Sequence, residues 1–201
     1  VEQRSSFFVE GDGLYVVRDG EDVGVDRARV RRAEPALVEL AVRFADGGRG
    51  SVTLTPVTAR TVRVALAVDD PAGVTAWGER LDLGSNEQIY GLTERINSDL
   101  IDSEVVPTDE GTLDRRGEVV AMTVTPTISA YAPFHQSSAG YGLLVDGTMQ
   151  GTYDVGATDP DTLRFEFEAA PADAGGSFHL LAGPDGPTIL DEYTALTGRP
   201  P

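Results

Sequence analysis

TLRFEFE, residues Thr162 to Glu168, decides the class of this protein. Leu163, Phe165 and Phe167 alternate with Arg164, Glu166 and Glu168, so a chain of period two puts apolar side chains on one face and charges on the other. That is a strand with one face buried and one in water, as antiparallel sheets have. Working outward, ALVELAVRFADGGRGSVTLTPV reads as a hairpin, with Val38, Leu40, Val42 and Phe44 alternating before a glycine-rich turn. SSFFVEGDGLYVVRDG reads as another, around Gly11-Asp12-Gly13. RTVRVALAVDD, GEVVAMTVTPT, GYGLLVDG and SFHLLAG are further strands bounded by Gly, Pro or Asp. The fold class expected is all-β, an antiparallel β-sandwich. One helix is expected, at PTILDEYTALTG. Asp185 caps it, Pro187 suits its first turn, Ile189, Leu190, Tyr193 and Leu196 recur at helical spacing, and Gly198 stops it.

Composition bounds the function. The 201 residues, 40% of them hydrophobic, suffice for a packed core. The absence of cysteine excludes disulfides and thiolate metal sites. Sixteen basic residues, all arginine, face 33 acidic ones, for a net charge of -17. Such a surface repels nucleic acid and anionic membranes, so neither is an expected partner. Acidity of this strength without a single lysine predicts a halophilic surface, because salt near 1 M shortens the screening length to roughly 3 Å and relieves carboxylate repulsion. No apolar run is long enough to span a membrane and no signal peptide is visible, which leans toward the cytoplasm; Val1 reads as a boundary, not a natural start.

Chemistry-bearing motifs are few. Phosphate loops, histidine-rich metal spacings and a nucleophile elbow are absent, so no cofactor and no metal is expected. His179, in an apolar strand, reads as structural; His135, after Pro133-Phe134, reads as a loop residue able to line a cleft. Asp99, Asp102, Glu104, Asp109 and Glu110 lack the spacing of a calcium loop and read as solvated surface. Phe134, Tyr141 and Tyr153 read as core, whereas Trp77 reads as core or as the wall of a groove.

Five phrases in register carry a resemblance: IYGLTER (89–95), LDRRGEVV (113–120), SAYAPFHQSSAGYGLLVDGT (129–148), TYDVG (152–156) and LLAGPDGPTILDEYTALTGRPP (180–201). Their succession resembles the N-terminal domain of glycoside hydrolase family 31, the α-glucosidases and α-xylosidases. The resemblance implies a galactose-mutarotase-like β-sandwich over residues 1–186, with 187–201 a helix and linker toward a (β/α)₈ barrel outside this chain. It implies a retaining α-glycosidase whose two catalytic carboxylates lie on that barrel, so no catalytic residue is assigned here. The expected partners are an α-linked glucoside or xyloside and the barrel itself; homo-oligomerisation stays open. The other reading is a stand-alone carbohydrate-binding or structural sandwich.

The resemblance also implies a substrate-reaching loop after the VV strand. In the family it often carries a tryptophan-asparagine-x-aspartate stretch, which here falls on MTVT, with Met122 in the tryptophan's place and Thr125 in the aspartate's. Hydroxyls of Thr123, Thr125, Thr127 and Ser129, the ring of Tyr131, and His135 are the candidate substrate-binding groups. The same alternating threonines read equally as the face of a strand.

Overall fold

A computed structural model describes residues 13–92, 113–123, 131–170 and 174–199. Among them run thirteen strands and one helix: β1 (Tyr15–Arg18), β2 (Glu21–Glu34), β3 (Leu37–Phe44), β4 (Arg49–Pro56), β5 (Thr61–Val68), β6 (Val74–Asp82), β7 (Ile89–Gly91), β8 (Glu118–Met122), β9 (Phe134–Ser137), β10 (Tyr141–Val145), β11 (Gly151–Val155), β12 (Thr162–Glu168), β13 (Gly176–Ala182) and α1 (Gly186–Thr197). All ladders are antiparallel, in the order β7-β9-β10-β13-β5-β4-β3-β2-β1-β6-β12-β11-β8. The class is the expected all-β sandwich.

One strand turns this single ladder into two leaves. β2 pairs with β1 through Gly24, then with β3 from Val25 onward, and the register shifts between Val25 and Arg27. A bulge at such a point bends the strand and lets it leave one leaf for the other. The first leaf is β8-β11-β12-β6-β1 and the second is β3-β4-β5-β13-β10-β9-β7, joined at β2.

The inner faces meet in an aromatic core. Leu163, Phe165 and Phe167 of β12 are buried, as their alternation requires. Trp77 of β6 stacks on Phe178 of β13 across the sandwich, with centroids 6.5 Å apart and planes 10° from parallel. Phe165 meets Trp77, Tyr153, Phe167 and Phe178 at centroid distances of 5.5 to 6.2 Å. Gly176 makes room for the tryptophan: a Cβ there would lie 1.9 Å from Cε2 of Trp77.

A smaller core lies on the outside of the second leaf, under α1. Ile189, Tyr193 and Leu196, spaced by four and three, pack with Phe134, Leu144 and Leu181, and the Tyr193 ring stacks on Phe134 at 4.1 Å. Asp185 caps the helix by accepting from the Thr188 N–H at 2.9 Å. Glu192 accepts from the hydroxyls of Thr58 and Thr61, tying the helix to the β4–β5 turn. Gly142 lies beneath Ile189, whose Cγ2 stands 2.6 Å from where a Cβ would project.

Several expectations are corrected. β1 forms its hairpin with β2 around Asp19-Gly20, and the SSFF arm of the expected hairpin lies outside the described residues. Trp77 is 3% exposed and belongs to the core of the sandwich. Leu190 faces water, since its position on α1 falls off the stripe made by Ile189, Tyr193 and Leu196. Phe165→Ala is expected to cost about 3–5 kcal/mol of stability, measured by denaturant unfolding, because it opens a cavity against four aromatic partners.

Candidate functional site

The two ends of the ladder come back together. The backbone N–H of Arg115, just before β8, donates to the Ile89 carbonyl of β7 at 2.7 Å, and the Ile89 N–H donates to Asp114 Oδ1 at 2.9 Å. The Arg115 guanidinium is buried and donates to the Gly91 carbonyl at 2.9 Å while pairing with Glu118 at 3.3 Å. Arg116 clamps the neighbouring turns, donating to the carbonyls of Gly84, Glu87 and Pro160 at 2.7, 3.1 and 2.7 Å. This closed edge, where β7, β8 and β9 meet, is where the expected substrate-reaching stretch leaves and re-enters the sandwich.

Strand periodicity sorts its residues. Val120 and Met122 of β8 point inward, and Met122, in the place of the family's tryptophan, is fully buried core. Thr123, the next residue, is exposed. Thr125, Thr127 and Ser129 lie outside the described residues. Tyr131 is half-buried against the main core, and its hydroxyl donates to the Met149 carbonyl at 2.7 Å. Burial raises its phenol pKa, so it remains a neutral donor.

His135 is not the loop residue that the sequence suggested. It lies in β9 with no exposed surface, its ring edge-on to Tyr141 at 6.0 Å and to Tyr153 at 5.6 Å. Neither ring nitrogen has a partner among the described residues, and burial pushes its pKa down to about 3. The signal that hid this was proline: Pro133 reads as a loop, yet its carbonyl, accepting from the Val145 N–H at 3.0 Å, opens the β9–β10 ladder. With no surface of its own, His135 reaches no ligand from this position.

Sequence reasoning passed over two interior groups and one polar network. Glu79 of β6 follows Trp77 on the inward face, opposite Phe165. Its carboxyl is fully buried without a hydrogen-bond partner among the described residues, and desolvation holds its pKa well above the usual carboxylate range. Glu87 accepts from Ser137 Oγ and from the Gly84 N–H at 2.9 Å, and sits beside Tyr141, whose phenol is raised by burial first and by that charge second.

Asp146, Ser177 and His179 are the residue types of a nucleophilic triad, but their order is wrong for one. Ser177 Oγ donates to Asp146 Oδ2 at 2.6 Å, with Arg63 Nε on the same oxygen at 3.0 Å, and His179 Nδ1 stands 3.0 Å from Oδ1. The serine proton is directed at the carboxylate, so the imidazole cannot withdraw it to make a nucleophile. Among the described residues no group of three or more His, Asp or Glu is placed to hold a metal ion.

No family model matches the chain. It is 31% identical over 125 residues to alpha-xylosidase XylQ of Lactiplantibacillus pentosus, covering 60% of this chain and 14% of that protein. It is 31% identical over 104 residues to alpha-glucosidase 2 of Bacillus thermoamyloliquefaciens, covering 45% of this chain and 13% of that protein. These relatives, an alpha-xylosidase and an alpha-glucosidase, match the resemblance to the N-terminal domain of glycoside hydrolase family 31.

Solved structures share this fold over nearly the whole chain. The cycloalternan-forming enzyme of Listeria monocytogenes, in complex with a pentasaccharide substrate, superposes with a TM-score of 0.69 at 15% identity, over 94% of this chain and 23% of that one. A GH31 family sulfoquinovosidase from E. rectale, in complex with an aza-sugar inhibitor, gives 0.64 at 11% identity, over 100% and 31%. A GH31 dextranase from Flavobacterium johnsoniae, complexed with glucose, gives 0.58 at 16%, over 93% and 29%. The chain thus spans less than a third of the proteins it resembles.

The two buried ionisable groups pull stability in opposite directions. Burial raises the Glu79 pKa above its unfolded value, so its contribution is fully present below the ordinary carboxylate pKa and falls as pH rises above it. His135 stays neutral when folded and is protonated when unfolded, so stability falls by about 1.4 kcal/mol per pH unit between roughly 6.5 and its folded value of about 3. Urea unfolding from pH 4 to 8 is expected to show Glu79→Gln more stable than wild type at the alkaline end, and His135→Phe with a flatter acid limb. Unchanged slopes in both variants would contradict the burial assigned to them.

Proposed function

We propose that this chain is the non-catalytic N-terminal sandwich of a retaining α-glycosidase of the α-glucosidase or α-xylosidase type, supporting and partly completing an active site on a following barrel. The observation that carries the reading is the 31% identity to an alpha-xylosidase over a segment that is only 14% of that protein. Retaining hydrolysis needs two carboxyl groups about 5–5.5 Å apart, one nucleophile and one acid/base. Among the described residues the interior carboxyls are either sealed or already bonded. Glu79 is sealed among aromatics, Glu87 is bound to Ser137 and Gly84, and Asp146 to Arg63 and Ser177.

In this reading residues 1–186 form the domain and 187–201 lead toward the barrel. The stretch from Thr123 to Tyr131 forms one wall of the pocket for an α-linked glucoside or xyloside. Met122 anchors its start in the core and the Tyr131–Met149 hydrogen bond its end. Thr123, Thr125, Thr127 and Ser129 supply hydroxyls to the sugar, on a loop held by rigid strands. Substrate complexes among the structural neighbours support a carbohydrate ligand.

Purified alone, the chain is expected to release no product from aryl α-glucosides or α-xylosides, and turnover above a mock purification would overturn the assignment. In the whole protein, a Thr125→Ala/Thr127→Ala pair is expected to lower kcat/KM by an amount worth about 1–3 kcal/mol while leaving the melting temperature near wild type. Kinetics identical to wild type would remove the wall.

The acidic, lysine-free surface is assigned to a salt-rich environment. Screening relieves repulsion in a chain of net charge -17. Melting temperature is expected to climb steeply between low salt and about 2 M potassium chloride, well beyond the range in which screening of ordinary surface pairs is complete. A flat profile would refute the adaptation.

A further inference from the structure

Beyond the bulge at Val25, β2 and β3 run on as a ribbon whose charge is opposite to that of the molecule. Every residue from Asp26 to Ala36 is exposed. The stretch DRARVRRAE carries Arg27, Arg29, Arg31 and Arg32, and β3 adds Arg43. Five arginines therefore stand against three acids, Asp26, Glu34 and Glu39, in a chain with sixteen basic and 33 acidic residues.

The acids are all taken. Asp26 pairs with Arg43 at 2.5 Å, Glu34 with Arg32 at 2.7 Å and Glu39 with Arg31 at 3.5 Å. Arg27 and Arg29 have no ion pair among the described residues. In register, Arg27 lies directly opposite Arg43 and Arg29 opposite Ala41, so all four share the outer face of the second leaf. Like charges directly opposite on a sheet destabilise it, and nothing in the fold requires this pair. The core does not use these side chains; Arg27 feels the charge of Asp26, whose hydrogen bonds go to Arg43, and Arg29 has no ion pair among the described residues.

We propose that the outer face of the β2–β3 ribbon is a docking surface for an acidic, extended polypeptide segment of another protein. Spacing selects the partner. Arg27 and Arg29 are two residues apart on one strand, about 7 Å, which is the distance between side chains two apart on any extended chain. A strand with Asp or Glu at every second position meets both guanidinium groups, each able to grip a carboxylate through two parallel hydrogen bonds. A second copy of this chain placed ribbon to ribbon would set arginine against arginine. The net charge of -17 opposes nucleic acid at long range, where only a local match can win.

The test uses the 201-residue chain and fluorescent eight-residue peptides, read by anisotropy at low salt. An alternating Glu-Thr peptide is expected to bind at least about tenfold more tightly than a block peptide of four Glu followed by four Thr, because both have equal charge and only one has the spacing. Arg27→Ala/Arg29→Ala is expected to abolish that preference, and Arg27→Gln/Arg29→Gln to do the same, with melting temperatures at or above wild type because the Arg27–Arg43 repulsion is gone. Equal binding of the two peptides, or none, overturns the proposal. So does tighter binding of an oligothymidylate of equal charge, or of a sulfated polysaccharide. So does self-association, seen by light scattering and lost in the same variants, since the ribbon's partner would then be this chain.

Discussion

The stack of Trp77 on Phe178 is the contact on which the rest of the sandwich depends. One ring belongs to each leaf, and both meet the Phe165 ring, at centroid distances of 5.8 and 5.5 Å, so the three hold the leaves face to face. Gly176 is the condition for it, because any side chain at that position would occupy the indole's place. Once the leaves are clamped there, β2 has to bend at its bulge to belong to both, and the two ends of the ladder are brought close enough for Arg115 to reach Ile89 and Gly91.

Arginine is the only cation available, and its geometry shows in where it is used. Arg116 spends its fork on three backbone carbonyls, a task that five directional N–H groups perform better than an ammonium. Arg80 and Arg164 cover the ring of Tyr15, at 4.2 and 5.0 Å from its centroid, while both also hold Asp22. Single exposed ion pairs contribute little, and these gain from sharing partners in a network. In a chain so short of positive charge, an exposed ribbon that gathers five arginines, two of them without an ion pair among the described residues, asks for a partner.

The interior of this sandwich holds two ionisable groups at a cost in desolvation. Glu79 and His135 each bury an ionisable group without a hydrogen-bond partner among the described residues, and burial raises the carboxyl pKa and lowers that of the imidazole. The closed edge places both ends of the 123–131 stretch on packed residues, Met122 in the core and Tyr131 bonded to Met149.

How much was legible follows from how locally each feature is encoded. Period-two alternation gave β12, β3 and β5, and cap, proline and glycine signals gave α1, because these are written in neighbouring residues. β2 was missed because its charges, spread over both faces, erase the alternation that a buried face would impose. β9 was missed because Pro133 masks a strand of four residues. Order of phrases in the sequence was enough to reach the resemblance that the curated relatives match, since a likeness of sequence needs no contact. What only the tertiary structure decided is which side chains are sealed. Trp77, Glu79, Met122 and His135 are inside because an opposing leaf lies over them, and that leaf comes from strands far away in the chain. Burial is a property of two surfaces meeting, and a sequence read along one strand carries only one of them.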